Sequence, residues 1–127
     1  KLKELCPEGV NVYFDNVAGA TLDAVLENMA IFGTVAVCGL MNNYGSLDRV
    51  PGPINYDLVL MKRLRIEGFF SPDFYHREPE INPILKKWHE NGDLSLPMQQ
   101  TEGLERLVKA YSSLFEGTNI GKVIVRL

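Results

Sequence analysis

Residues 10–40 read VNVYFDNVAGATLDAVLENMAIFGTVAVCGL, and the fold turns on how this run is parsed. The opening VNVYFDNV is β-branched and aromatic and ends at Ala18-Gly19, which reads as a strand closing on a tight turn. Thr21 is placed to cap a helix whose Leu22, Val25, Leu26 and Met29 share one face. Gly33 is the expected helix stop. Residues 34–38, TVAVC, then form a second strand, apolar nearly throughout, as a strand covered on both faces must be.

Beyond that strand the chain enters GLMNNYGS (39–46), rich in amides and glycine and centred on Tyr44. A loop that only reverses the chain is made with simpler Pro, Asp and Gly chemistry. The side chains here have the hydrogen-bonding character of a ligand site. A Pro-Gly-Pro hinge (51–53) leads to a short helix over NYDLVLMKR (55–63) and a third strand at 64–70. Residues 81–91 give another helix, with Ile81, Ile84, Leu85 and Trp88 on one stripe and Asn82-Pro83 starting or kinking it. Strand and helix alternating three times imply an α/β fold with a doubly wound parallel sheet.

The last third reads differently. Residues 92–102 look like a connector with a short extended piece at 94–96. Leu104, Leu107, Val108, Tyr111, Leu114 and Phe115 make the cleanest amphipathic helix, stopped by Gly117. GTNIG then turns the chain into a terminal strand, KVIVRL. At the other end, KLKELC resembles the tail of a helix, as though the sequence opened inside a longer one. In doubly wound sheets ligands lie outside the carboxyl ends of the strands. Those ends are residues 15–19, 38–44 and 69–71, and all three should gather on one edge.

Composition bounds the possibilities. The chain has 127 residues, 46% apolar and 23% charged, which is ordinary globular protein and long enough to bury a core. Its 13 Lys and Arg against 16 Asp and Glu give a net charge of −3, so no basic field argues for nucleic acid. No segment approaches the ~20 apolar residues that span a bilayer, and no secretory signal opens the chain. Cys6 and Cys38 fall in no C-x-x-C spacing and read as reduced, buried small residues, which fits a cytoplasmic protein. His76 and His89 have no partner at metal-ligand spacing.

Four motifs in order, YFDNVAG, VAVCGLMNNY, LRIEGFF and LFEGTNIGKVIVRL, resemble the medium-chain dehydrogenase/reductase superfamily. Within it the chain is similar to the zinc-independent branch of prostaglandin reductases, leukotriene hydroxydehydrogenases and double-bond reductases. The resemblance implies the second half of a Rossmann-type sheet at 1–92. Residues 93–127 would be a C-terminal helix and strand returning to a catalytic domain that is missing here. The glycine-rich phosphate turn is also missing, since no G-x-G-x-x-G follows a strand.

It further implies NADP as cofactor and a reaction, reduction of the conjugated C=C bond of α,β-unsaturated ketones or aldehydes. Hydride goes to the β-carbon and negative charge grows on the carbonyl oxygen, where a hydrogen-bond donor stabilises it. Tyr44 matches a tyrosine thought to orient the ribose 2′-hydroxyl that meets this oxygen. Cofactor contacts would come from Asn16, from Cys38, Gly39, Leu40, Met41, Asn42, Asn43 and Tyr44, from Phe69, Phe70 and Ser71, and from Asn119. No metal is required. The family's N-V-G-G turn has Ala18 in place of its first glycine, a small change expected to be tolerated. Its Tyr-Asn is here Tyr44-Gly45, leaving one hydrogen bond unfilled.

The residues alone leave plainer readings open. Tyr44 also reads as an exposed loop aromatic, Asn16 and Asn119 as turn residues, and Phe69 or Phe70 as core. Two other functions stand beside the reductase: a quinone oxidoreductase of the same superfamily, or a truncated binding or oligomerisation module without catalysis. The resemblance also implies a homodimer through the edge strand 64–70, and an unpaired apolar edge associates in any case.

Overall fold

The computed structural model describes residues 1–44 and 48–127. Its described residues divide into two compact units, Lys1–Tyr75 and His76–Leu127.

The first unit opens with a short helix α1 (Leu2–Leu5), then β1 (Val10–Asp15), α2 (Gly19–Asn28), β2 (Met29–Val37), α3 (Asp57–Met61) and β3 (Arg65–Gly68). The three strands form one sheet in the order β1-β2-β3, parallel throughout. Tyr13 pairs with Val35 and Asp15 with Val37, while Thr34 pairs with Arg65 and Val37 with Gly68. Parallel pairing forces the crossover helices, and it puts the carboxyl ends of all three strands on the same edge.

The core is small. Leu22, Val25 and Leu26 of α2 pack with Met29 and Val35 beneath them, and Leu26 and Val35 are completely buried. Val10, Tyr13, Val37, Leu58 and Leu64 close the rim of this cluster. β2 was expected to be covered on both faces. Its α2 side is buried, whereas on the opposite side the neighbouring Val12 and Phe14 are 70% and 51% exposed.

The helix boundaries depart from the sequence reading at both ends of α2. The helix begins at Gly19 with Ala18 at its N-cap position, so Thr21 does not cap it. The amides of Val17 and Ala18, which precede the helix, donate to the Asp15 carboxylate and fix the turn that leads into it, while no side chain among the described residues caps the helix's own first amides. The helix ends at Asn28, well before Gly33. The Lys62 ammonium donates to the carbonyls of Leu26, Glu27 and Met29 at 2.7–3.0 Å, satisfying groups a terminating glycine turn would otherwise serve. Gly33 lies inside β2, where a Cβ would come within 3.0 Å of the Val10 and Ala30 carbonyl oxygens. The pairing of β1 with β2 slips between Val10 and Val12, and Phe32, at φ 65°, absorbs the irregularity.

The second unit holds α4 (Glu78–Glu90), β4 (Met98–Glu102), α5 (Leu107–Glu116) and β5 (Lys122–Arg126). α4 begins earlier than expected, with Pro79 in its first turn, and Pro83 lies in its interior, where it has no N–H to give the helix. The extended piece in the connector is β4, a few residues beyond 94–96, and it pairs in parallel with β5. α5 stops at Gly117, which takes a left-handed φ of 65° as the sequence pattern requires. Its apolar stripe forms, with Val123 and Val125 of β5, a groove of about 260 Å³ lined also by Leu107, Tyr111 and Leu114.

Candidate dinucleotide site

The polar wall of the site starts from Asp15, the last residue of β1. Its side chain is completely buried, and its Oδ1 accepts hydrogen bonds from the amides of Val17 and Ala18, both at 2.9 Å, and from the Tyr13 hydroxyl at 3.1 Å. Oδ2 is also buried and has no hydrogen-bond partner among the described residues. Burial, then the bond to Asp15 and its charge, push the Tyr13 phenol up to about 12. Ala18 takes φ 62° and ψ −161°, a conformation glycine adopts freely and an L-residue does not. The replacement of glycine by alanine is therefore accommodated under strain, where the sequence implied no penalty.

The turn so fixed presents its carbonyl oxygens to the loop that follows β2. Asp15 O accepts from the amides of Cys38 (2.8 Å) and Gly39 (3.0 Å), Asn16 O from Met41 (3.1 Å), and Val17 O from Asn42 (3.0 Å). The sheet ladder is thereby extended by main-chain bonds past the last paired residues. Gly39 is required by this approach, since a Cβ there would stand 2.9 Å from the Asn16 carbonyl oxygen. Residues Met41–Asn43 make one 3₁₀ turn, and Tyr44 follows it with its side chain 66% exposed.

Next to this wall is a cleft of about 440 Å³ between the carboxyl ends of β2 and β3, with Val37, Leu40, Phe69 and Phe70 among its lining residues. Phe69 is held by its amide donating to Val37 O at 2.8 Å, and its ring meets Phe14 edge-on at 5.5 Å and stacks on Phe74 at 4.8 Å. Cys38, Gly39, Gly68 and Asp73 complete the lining.

Of the residues marked from sequence, Cys38, Gly39, Leu40, Phe69 and Phe70 line the cleft directly. Asn16, Met41 and Asn42 are joined to that wall through their backbones, with Asn43 and Tyr44 following on the same 3₁₀ turn. Ser71 opens the 3₁₀ segment after β3 and is exposed. Asn119 belongs to the second unit, where its amide donates to Gly121 O at 3.2 Å. Gly45 lies outside the described residues. Cys6 and Cys38 are both free but only half-buried, so neither is the fully buried small residue expected. Sequence reasoning placed Asp15 in a strand end without giving its side chain a role, and passed over Lys62 and Asp73. The first carries a signal, an Asp opening a tight turn at a strand end; the other two have none that spacing would reveal.

A parallel sheet with a ligand cleft outside its strand ends defines the second half of a Rossmann-type dinucleotide domain. The family model described as "Zinc-binding dehydrogenase" matches residues 1–87, and the chain belongs to that family. It is 39% identical to the 2-alkenal reductase (NADP(+)-dependent) of Nicotiana tabacum over 98% of its own length and 36% of that protein's. It is 33% identical to the NADPH-dependent curcumin reductase of Escherichia coli (strain K12), over 100% of this chain and 38% of that one. The crystal structure of CurA from Vibrio vulnificus in complex with NADPH superposes with a TM-score of 0.83 at 31% identity, covering 98% of this chain and 39% of that one. The chain thus spans under two fifths of the length of these relatives.

Proposed function

We propose that the chain is the C-terminal, cofactor-binding part of an NADP-dependent reductase acting on the conjugated C=C bond of enones and enals. The observation that carries the reading is the joining of two strand ends by main-chain bonds into one wall beside an apolar cleft of about 440 Å³. Residues 93–127 are assigned to the catalytic domain of the longer protein. The names of the tobacco and bacterial relatives support both the cofactor and the substrate class.

The cleft fits a flat ring. Glycines at 39 and 68 leave the backbone open at two points of its lining, and Phe69 and Phe70 offer aromatic surface. When bound, the nicotinamide cofactor supplies the hydride. The chain's residues do the rest. Val37, Leu40, Phe69 and Phe70 give the cleft an apolar lining against which a flat ring can pack. Tyr44 would orient the cofactor's ribose 2′-hydroxyl, the donor that meets the carbonyl oxygen as negative charge grows there. The family's name implies zinc, but among the described residues no three His, Cys, Asp or Glu side chains stand close enough to hold a metal ion. Among the described residues no helix is long and apolar enough to cross a membrane. β3 is an edge strand with Ile66 40% exposed, and we assign it the contact between two copies of the full-length protein.

The test is NADPH oxidation by the full-length protein with enals, enones and quinones in parallel. Enal or enone reduction is expected, and Tyr44→Phe should lower kcat about 100-fold while the melting temperature stays unchanged. Activity confined to quinones, or an unaltered rate in the variant, overturns the assignment.

A further inference from the structure

Asp15 has no part in the chemistry just described, yet its carboxylate is held by three hydrogen bonds. It is completely buried, accepts three hydrogen bonds on Oδ1, and holds Oδ2 without a partner among the described residues. A buried acceptor left unserved costs about 1–3 kcal/mol, so the carboxylate is a poor choice if stability is its only purpose. Its two amide donors belong to Val17 and to Ala18, and Ala18 sits in a conformation that persists only when its surroundings over-determine it. The bond to Asp15 is that constraint.

What the constraint achieves is visible one step further on. With the turn fixed, the carbonyls of Asp15, Asn16 and Val17 face the amides of Cys38, Gly39, Met41 and Asn42, and Tyr44 N donates to Met41 O at 3.3 Å at the end of the same run. We propose that Asp15 is a positioning residue for Tyr44: its carboxylate sets the turn at 15–18, the turn's carbonyls set the loop 38–42, and the loop sets the phenol. The inference rests on the role given to Tyr44 above and deepens it.

A double-mutant cycle in the full-length protein tests it. Asp15→Ala should lower kcat about 10- to 100-fold, as small misplacements of a catalytic group do. Placed on top of Tyr44→Phe it should cost less than about threefold more, because both changes act through one hydroxyl. Losses that multiply overturn the positioning role and leave the reductase reading intact. A Tyr44→Phe variant with unaltered kcat overturns the reading itself, and the positioning role with it.

Asp15→Asn, which keeps an acceptor in place and folds where alanine fails to, supplies a measurement free of catalysis. Amide exchange at Val17, Ala18, Met41 and Asn42 should quicken together by about threefold or more, with Val35 unmoved. Faster exchange at Val17 and Ala18 without a response at Met41 and Asn42 refutes the coupling.

Discussion

Replacing Lys62 by methionine removes an ammonium while keeping a side chain of similar length and shape. The group it removes donates to three carbonyls at once, those of Leu26 at 3.0 Å, Glu27 at 2.7 Å and Met29 at 3.0 Å. Hydrogen bonds involving a charged partner contribute about 1.5–3 kcal/mol each, and a cation at a helix C-terminus adds about 0.3–1 kcal/mol. Against this stand about 2 kcal/mol of side-chain entropy spent to hold the lysine, and the ability of water to reach the exposed Glu27 carbonyl once the ammonium is gone. A net loss of about 1–5 kcal/mol follows. Urea unfolding followed by far-ultraviolet circular dichroism should show the midpoint falling with an unchanged slope. Arginine should recover only part of the loss, because its planar fork cannot aim one nitrogen at three carbonyls. A loss below about 0.5 kcal/mol, the range of an ordinary surface substitution, would refute the view that this lysine ends α2.

Three further outcomes are expected. Gly39→Ala should destabilise by about 1–3 kcal/mol and weaken cofactor binding, since its Cβ would meet the Asn16 carbonyl oxygen at 2.9 Å; thermal melts and a binding titration check it. Ala18→Gly should leave stability within about 1 kcal/mol of the parent, strain relief offsetting a lost buried methyl, whereas Ala18→Val should lower it by more than about 2 kcal/mol. Tyr13 is raised from 10.0 to about 12 in the fold, so its contribution is complete below pH 10 and is lost as pH climbs from 10 to 12. Denaturation midpoints across that window should fall less steeply in Tyr13→Phe.

The alternation of strand and helix was legible because the apolar period changes from two to three or four residues with turn residues between. The same patterning located all three strand ends, and with them the cleft. Long-range polar contacts were not legible. Lys62 stands more than thirty residues from the carbonyls it serves, so the end of α2 was assigned to Gly33 on local grounds alone. Ala18 failed in a similar way: its methyl is small enough to suggest indifference, and only the backbone angles show the strain. β2 was judged covered on both faces because its apolar residues run continuously. That pattern records what the strand is suited to, whereas the exposed Val12 and Phe14 beside it record what this chain supplies.

The wall joining residues 15–17 to 38–42 is built from main-chain atoms on both sides. Mutational drift in the loop therefore meets little resistance: Leu40, Met41 and Asn42 can be exchanged for other side chains without unseating the segment that bears them. An exchange at Leu40 would change the lining of the cleft and leave the frame that carries it where it is.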